Sequence, residues 1–234
     1  MTFRILQLLP QLTDVNGDAR NAAVLVARLR WAGHDADLVP VAAGEPLPAE
    51  RPTAIVLGSG VDSALRRTRD ALAPMVATLT SWLGDGVPLL AVGTGMELLG
   101  RAIPLGDGTI VDGLGIVPGE ATPLATRSAD DLVVESRYGT LTGYENHARG
   151  FVLASPAEPL GTVLTGTGNG EGAEGIRWQS VYGTHLHGPV LARNPVLADA
   201  LLADAGVTVV ASEMSARADA IAARVSARLM GSAR

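Results

Sequence analysis

The stretch VPLLAVGTGMELLG (Val87–Gly100) decides how the rest of this chain is interpreted. Pro88–Val92 is a short, unbroken apolar run, which is typical of a strand buried on both faces of a parallel sheet. Met96, Leu98 and Leu99 follow at helical spacing. The stretch therefore predicts a buried strand, a sharp turn and a helix.

The turn between the predicted strand and helix is Gly93-Thr94-Gly95. A buried strand that turns sharply into a helix through small residues is typical of a nucleophile elbow, where several α/β enzymes hold a Ser or Cys. Gly93 occupies the elbow position here, and glycine has no side chain. Two interpretations follow, a catalytic elbow without its nucleophile or an ordinary tight turn.

Strand and helix patterns alternate through the first hundred residues. The predicted strands are Phe3–Leu9, Asp35–Val41, Ala54–Leu57 and Pro88–Val92, and the predicted helices are Asn21–Ala32 and Ala71–Leu83. This alternation predicts an α/β fold with a doubly wound, mostly parallel sheet, whose functional loops lie at the carboxyl ends of the strands.

The second half of the chain changes character. Short β-like runs and turn signals between Gly106 and Val190 predict antiparallel or mixed strands added to the same sheet. Helical patterns then cover Asn194–Ala205 and Ser212–Met230. We divide the chain into one domain, residues 1–205, and a C-terminal helical extension, residues 206–234.

Composition excludes several classes of protein and of site. The formal net charge of −6 leaves no basic face for nucleic acid. The chain has no cysteine, which excludes disulfides, thiolate catalysis and cysteine-based metal sites. It begins without the pattern of a signal peptide, and no apolar run approaches the length of a membrane span. We therefore expect a soluble, cytoplasmic protein that does not insert into a membrane.

Three histidines lie in segments that suggest chemistry. His147 ends the segment Gly143–His147, and His185 and His187 would face the same side of a strand. Glu145 or His147 could add a third metal ligand, but a full zinc site needs more ligands than are evident. We expect no metal, and the stronger interpretation makes one histidine a general base beside the elbow.

Six segments together carry a resemblance that covers nearly the whole chain, from Leu9 to about Leu202. They are Asn16–Asn21, Val56–Asp62, Val87–Gly100, Gly143–His147, Gly166–Gly175, and Gly183–Pro189 followed by Arg193-Asn194-Pro195. In this order and spacing they resemble the class I glutamine amidotransferases, in the branch related to cobyric acid synthase. That branch includes glutaminase subunits that work with a Mur-ligase-like partner.

The resemblance implies a role for each matching residue. The nucleophilic Cys of the family belongs at the position of Gly93, and its catalytic His matches His187. Gly58 and Gly60 match the turn whose backbone N–H groups face the oxyanion. Arg127 matches an Arg that holds the carboxylate of glutamine. The resemblance implies no cofactor.

Four further residues are candidates for acid–base or pocket roles, namely His185, His147, Glu145 and Thr94. The acidic residue usual two positions after the catalytic His is absent, because Pro189 stands there. Thr94 directly follows the elbow position, and Ser59 lies in the segment Val56–Asp62, but the family geometry aims the side chain of residue 93, and not these hydroxyls, at the catalytic His.

Glycine at position 93 predicts loss of glutaminase activity, because only a thiolate there forms the thioester of the family's reaction. Three hypotheses stay open. The chain is a non-hydrolysing subunit of a Mur-ligase-like or other ATP-dependent amide-forming enzyme, with glutamine or a related small molecule in its pocket. Alternatively, it is a repurposed enzyme that uses His187 or His185 for acid–base chemistry, or an inactivated form of a true glutaminase subunit.

Overall fold

The computed structural model describes residues 2–232. In chain order its strands are β1 (Phe3–Leu8), β2 (Ala36–Val41), β3 (Ala54–Leu57), β4 (Leu89–Val92), β5 (Ala102–Pro104), β6 (Ile110–Asp112), β7 (Gly119–Ser136), β8 (Gly139–Leu153), β9 (Gly161–Thr165), β10 (Ala173–Glu174), β11 (Ile176–Trp178) and β12 (Val181–Thr184). Its α-helices are α1 (Asn21–Trp31), α2 (Leu65–Leu72), α3 (Val76–Gly84), α4 (Thr94–Leu99), α5 (Val190–Arg193), α6 (Pro195–Asp204) and α7 (Glu213–Ser232).

The central sheet has six strands in the order β11-β12-β4-β3-β1-β2. All neighbours are parallel except β11 and β12, which are antiparallel. Strand β3 is buried on both faces, because Ile55 and Leu57 pack in the core with α2 and α3, whereas Ala54 and Val56 pack in the core with α1 and α6. This arrangement confirms the predicted α/β fold with a doubly wound, mostly parallel sheet.

The long antiparallel strands form a sheet of their own, in the order β10-β9-β7-β8. Of the strands after Gly106, only β11 and β12 join the central sheet. The expectation that the second half adds its strands to that sheet is therefore wrong for β6, which pairs with β5, and for β7–β10. The physical reason is local pairing. Strands β7 and β8 are joined by a short turn and pair from Gly119↔Leu153 to Ser136↔Gly139, so they satisfy each other's backbone groups without the central sheet.

One predicted helix is interrupted in the structure. The predicted helix Ala71–Leu83 is divided by a short 3-10 turn, Ala73–Met75, which contains Pro74. Proline lacks a backbone N–H and cannot continue the hydrogen bonds of the preceding helix. Of the predicted extension, residues 233–234 lie outside the described range.

Helix α7 is fastened to the body through a buried cation. The guanidinium of Arg28 on α1 bonds Asp199 of α6 at 2.6 Å and Asp219 of α7 at 2.7 Å. Thr142 of β8 also shares a hydrogen bond of 2.8 Å with Ser226. Within residues 2–232, none of the helices combines the length and the hydrophobicity that a membrane span requires.

Candidate functional site

A cavity of about 290 Å³ opens where the central sheet meets the second sheet. One wall follows the carboxyl ends of β3 and β4, with Ser59–Asp62, Gly93, Thr94 and Glu97. The opposite wall comes from Arg127 and from Asn146–Arg149 of β8, and His187 closes the base. Carboxyl ends of parallel strands are where α/β proteins hold their ligands.

The predicted strand, turn and helix of Val87–Gly100 are confirmed as β4, the elbow at Gly93, and α4. Gly93 has φ 52° and ψ −121°, a conformation that favours glycine. Its N–H donates to the carbonyl of Thr184 on β12, at 2.9 Å. Its own carbonyl accepts from the N–H of Glu97, at 3.1 Å. The elbow is thereby tied to both the sheet and the helix.

A side chain on residue 93 would point at His187. A Cβ atom built there lies 3.0 Å from His187 Cε1 and 2.7 Å from Ser59 Oγ. The position that the resemblance assigns to the nucleophile is therefore beside the position that it assigns to the base. The Ser59 hydroxyl borders the same space.

His187 pairs with a buried carboxylate that the sequence reasoning missed. The distance from His187 Nδ1 to Asp18 Oδ2 is 2.7 Å, and both side chains are buried. Burial raises the pKa of Asp18, and the hydrogen bond and charge of His187 oppose that rise. With Asp18 ionised, Nδ1 carries the proton and Nε2 of the neutral ring is left as an acceptor. This is the tautomer that a general base needs.

Asp18 belongs to the short 3-10 turn Asp18–Arg20 that precedes α1. Gln7 of β1 holds this turn through a hydrogen bond of 2.8 Å to the carbonyl of Ala19. Sequence reasoning looked for the acid at Pro189, two residues after the histidine. Asp18 lies 169 residues away in the chain. Its only sequence signal is its place in the segment Asn16–Asn21, which already carried the resemblance.

The glycine turn after β3 is packed against neighbouring backbone. A Cβ atom on Gly58 would lie 2.0 Å from the carbonyl oxygen of Thr13, and one on Gly60 would lie 2.5 Å from that of Leu12. Both positions therefore require glycine. Gly60 lines the cavity, whereas Gly58 does not.

Two backbone N–H groups on this side of the cavity, those of Gly60 and Thr94, have partners within the protein. Gly60 N–H donates to Thr94 Oγ1 at 2.7 Å. Thr94 N–H faces Ser59 Oγ at 3.4 Å, and the two hydroxyls are themselves 3.4 Å apart. The amide of Gly60, which the resemblance assigns to the oxyanion, is thus already bonded to a side chain.

An ion-pair cluster joins the two walls of the cavity, with Arg149 and Glu97 buried and Asp62 about half exposed. Arg149 of β8 donates to Glu97 of α4 at 2.9 Å, and to both oxygens of Asp62 at 2.7 and 2.9 Å. Burial acts to lower the pKa of Arg149, but the bonds and charges of Asp62 and Glu97 outweigh it and raise that pKa. The hydrogen bonds from Arg149 also lower the pKa of Asp62. Sequence reasoning did not identify this cluster, because its members are far apart in the chain.

Arg127 lies in the cavity wall, where the pairing of β7 and β8 is interrupted between Pro123 and Ser128. Its side chain is exposed, and it donates to Asn146 Oδ1 at 2.6 Å. An exposed guanidinium at the mouth of a cavity can bind a carboxylate through paired N–H donors.

The four further candidates divide into two groups. Thr94 and His147 line the cavity, but His185 and Glu145 lie behind its wall. His185 is completely buried, stacks on His147 with 4.1 Å between ring centroids, and places Nδ1 3.2 Å from Glu174. Neither His185 nor Glu145 lines the cavity, because His147 covers His185, and the carboxylate of Glu145 is bonded to Ser128 and to the loop after β9.

Glu145 holds together the wall that contains His147. Burial would raise its pKa, but hydrogen bonds from His147, Ser128, and the N–H groups of Gly168 and Thr167 outweigh burial and lower the pKa to about 2. The distances from the glutamate oxygens to these donors run from 2.6 to 3.0 Å. The glycine-rich loop after β9 therefore binds a carboxylate of its own chain. Among residues 2–232, no cluster of three or more His, Cys, Asp or Glu is placed to hold a metal ion.

Residues 21–195 match the CobB/CobQ-like glutamine amidotransferase domain. The chain belongs to this family. Two relatives carry the name lipid II isoglutaminyl synthase (glutamine-hydrolyzing) subunit GatD. The one from Staphylococcus aureus (strain N315) is 30% identical over 192 residues, which is 81% of this chain and 78% of that protein. The one from Streptococcus pneumoniae (strain ATCC BAA-255 / R6) is 32% identical over 154 residues, which is 63% of this chain and 59% of that protein.

Solved structures of glutamine amidotransferases share the fold of this CobB/CobQ-like chain. One has a TM-score of 0.58 and 19% identity, and covers 86% of this chain and 99% of its own. Another, from Thermotoga maritima, has a TM-score of 0.53 and 16% identity, and the match covers 85% of this chain and 81% of that one.

Proposed function

We propose that this chain is a glutamine amidotransferase-like subunit that does not hydrolyse glutamine. One observation carries the proposal, which is the elbow at Gly93 in a chain without any cysteine. Amide hydrolysis through a thioester needs a thiolate beside the base, and no residue of this chain can supply one.

The nearby hydroxyls do not replace the thiol in this geometry. Ser59 Oγ accepts from the N–H of Thr94 at 3.4 Å and lies 3.4 Å from its hydroxyl, and Thr94 Oγ1 accepts from the N–H of Gly60 at 2.7 Å. Within the described residues neither hydroxyl forms a hydrogen bond with His187. A Ser or Thr nucleophile must lie within hydrogen-bond reach of its base. His187 and Asp18 are thus a general base with no nucleophile.

The rest of the cavity supports binding of glutamine or a related amino acid. Arg127 offers an exposed guanidinium for the ligand's carboxylate. Polar groups of Asn146 and His147 lie in the same wall. The proposal also includes a protein partner and a cytoplasmic location. Its partner is a Mur-ligase-like or other ATP-dependent amide-forming enzyme, because both GatD relatives are named as subunits of a synthase.

The test compares ammonia release from glutamine by the wild-type chain and by His187→Ala, each alone and with a Mur-ligase-like protein from the same genome. We expect equal rates, because a base without a nucleophile gives no thioester. A wild-type rate above that of the variant would overturn the proposal. Calorimetric titration with glutamine should show binding that Arg127→Ala weakens at least about tenfold, as expected for loss of a charge-assisted contact.

A second candidate function is favoured by the intact pair of His187 and Asp18. This pair could serve acid–base chemistry on a different substrate in the same cavity. A screen of small amides and esters distinguishes the two functions. Turnover that disappears in His187→Ala would favour a repurposed enzyme, and its rate should depend on pH between about 5 and 8.

A further inference from the structure

We infer that Thr94 is a second, independent block to amide hydrolysis, because its hydroxyl occupies the backbone N–H that would stabilise the oxyanion. A cysteine restored at position 93 would therefore not be sufficient for turnover. The inference rests on the proposed function only in taking the cavity as the former glutamine site.

Hydrolysis of an amide places negative charge on the carbonyl oxygen as the nucleophile attacks. Backbone N–H groups stabilise that charge when they lie about 2.7–3.1 Å from the oxygen. The N–H of Gly60 is already bonded to Thr94 Oγ1, at 2.7 Å. A substrate oxygen would have to displace this hydroxyl before it could use the donor.

The Thr94 hydroxyl is held in place from several sides. Besides the Gly60 N–H, it has the Gly60 carbonyl at 3.4 Å and Ser59 Oγ at 3.4 Å. Thr94 is also the first residue of α4, directly after the elbow, and its β-branched side chain has few rotamers. The contact therefore belongs to the fold of the elbow and not to a mobile surface side chain.

Ser59 limits the space for a new side chain at the elbow. A Cβ atom on residue 93 would lie 2.7 Å from Ser59 Oγ, closer than such atoms approach. Replacing Ser59 by alanine removes that contact and leaves the bond between Gly60 and Thr94 in place. Ser59→Ala/Gly93→Cys is therefore the background in which Thr94 is tested alone.

The test compares the Ser59→Ala/Gly93→Cys background with two versions of it that add Thr94→Ala or Thr94→Ser.

In the reaction, His187 Nε2 takes the thiol proton and the sulfur attacks the amide carbon. The C–N bond breaks, ammonia leaves with that proton, and water then hydrolyses the thioester. We expect Thr94→Ala to raise glutamine turnover about 100-fold, because one oxyanion donor is worth about that much or more. Thr94→Ser keeps the hydroxyl and should give no gain.

Alkylation of the new thiol by iodoacetamide is measured in parallel. This reaction displaces iodide at a saturated carbon and builds no oxyanion, so the three variants should react at rates within about twofold. Equal glutamine turnover in the three variants would overturn the inference. The same holds if none of them turns over glutamine although iodoacetamide alkylates the thiol of each. An equal gain from Thr94→Ser would also overturn it, since the hydroxyl would then not be the block.

A second measurement needs no cysteine and uses the chain with Gly93 intact. Thr94→Ala should expose the Gly60 N–H and speed its hydrogen exchange at least about tenfold, whereas Thr94→Ser should not. Unchanged exchange in Thr94→Ala would contradict the inference. Ammonia release by the wild-type chain would instead contradict the proposed function, so the two failures are distinguishable.

Discussion

Two groups of residues that line the cavity, here named the elbow wall and the ion-pair wall, differ in what holds them. The elbow wall consists of Ser59, Gly60, Gly93 and Thr94, and its contacts are neutral hydrogen bonds within short turns. The ion-pair wall consists of Asp62, Glu97 and Arg149, which carry charge and join the second sheet to the central sheet.

On the proposed function, this difference explains how the site lacks glutaminase chemistry and keeps its fold. Gly93 relieves backbone strain at the elbow, so absence of a nucleophile costs the protein no stability. Loss of Arg149 would leave the buried carboxylate of Glu97 without a cation. We expect loss of Arg149 to lower the free energy of unfolding more than substitutions in the elbow wall do.

Arg149→Ala should have the largest effect. Breaking a buried ion pair by removing one partner costs about 3–5 kcal/mol of unfolding free energy, because it leaves an uncompensated buried charge. Urea denaturation measures this loss. The matched control is Arg127→Ala, which removes an exposed arginine from the same cavity and should change stability by less than about 0.5 kcal/mol. If both variants lose the same free energy, the ion-pair wall is no more structural than its surroundings.

Glu145→Gln extends the comparison to the wall behind His147. The pKa of Glu145 falls from 4.5 to about 2 on folding. A lowered folded pKa stabilises the protein above pH 4.5, and this stabilisation is lost as pH falls towards 2. We expect the variant to lose about 2–3 kcal/mol at neutral pH and to show a flatter stability profile between these pH values. Thermal melts across that range measure it. Exposed Glu171→Gln is the control and should keep the wild-type profile.

Gly93→Ala should have the smallest effect of the three. A non-glycine residue at φ 52° is strained by about 1–3 kcal/mol, and its Cβ would also meet Ser59 Oγ. Adding Ser59→Ala should return part of the lost free energy. Gly115→Ala is the matched control, because Gly115 has φ 66° and no atom near the added Cβ. Its loss of unfolding free energy should therefore come from backbone strain alone, without a steric contact. A more stable Gly93→Ala variant would mean that the elbow does not hold this conformation in solution.

Much of the site was predictable because it is local. The apolar run Pro88–Val92 and the glycines after it predicted a strand and a tight turn without any knowledge of the fold. The family resemblance then assigned His187 and Arg127 to roles that bring them to one cavity, and both line it. The division of the chain into a domain of residues 1–205 and an extension of residues 206–234 stays a prediction.

Other features depended on contacts between distant parts of the chain. The carboxylate behind His187 comes from Asp18, 169 residues earlier, and Arg149 meets Asp62 across 87 residues. The bond from Gly60 to Thr94 spans 34 residues. None of these pairings leaves a periodic signal, because each depends on which strands lie side by side in the sheet.

The sequence by itself determined that this protein has a buried strand leading into a glycine elbow, and that no thiol exists anywhere in the chain to act there. Both follow from residue identity and short-range spacing. Only the tertiary structure decided that the long antiparallel strands form a second sheet and that His185 is buried behind His147. It also decided that the N–H of Gly60 donates to the hydroxyl of Thr94. Those outcomes depend on packing, which orients side chains from separate segments towards one another.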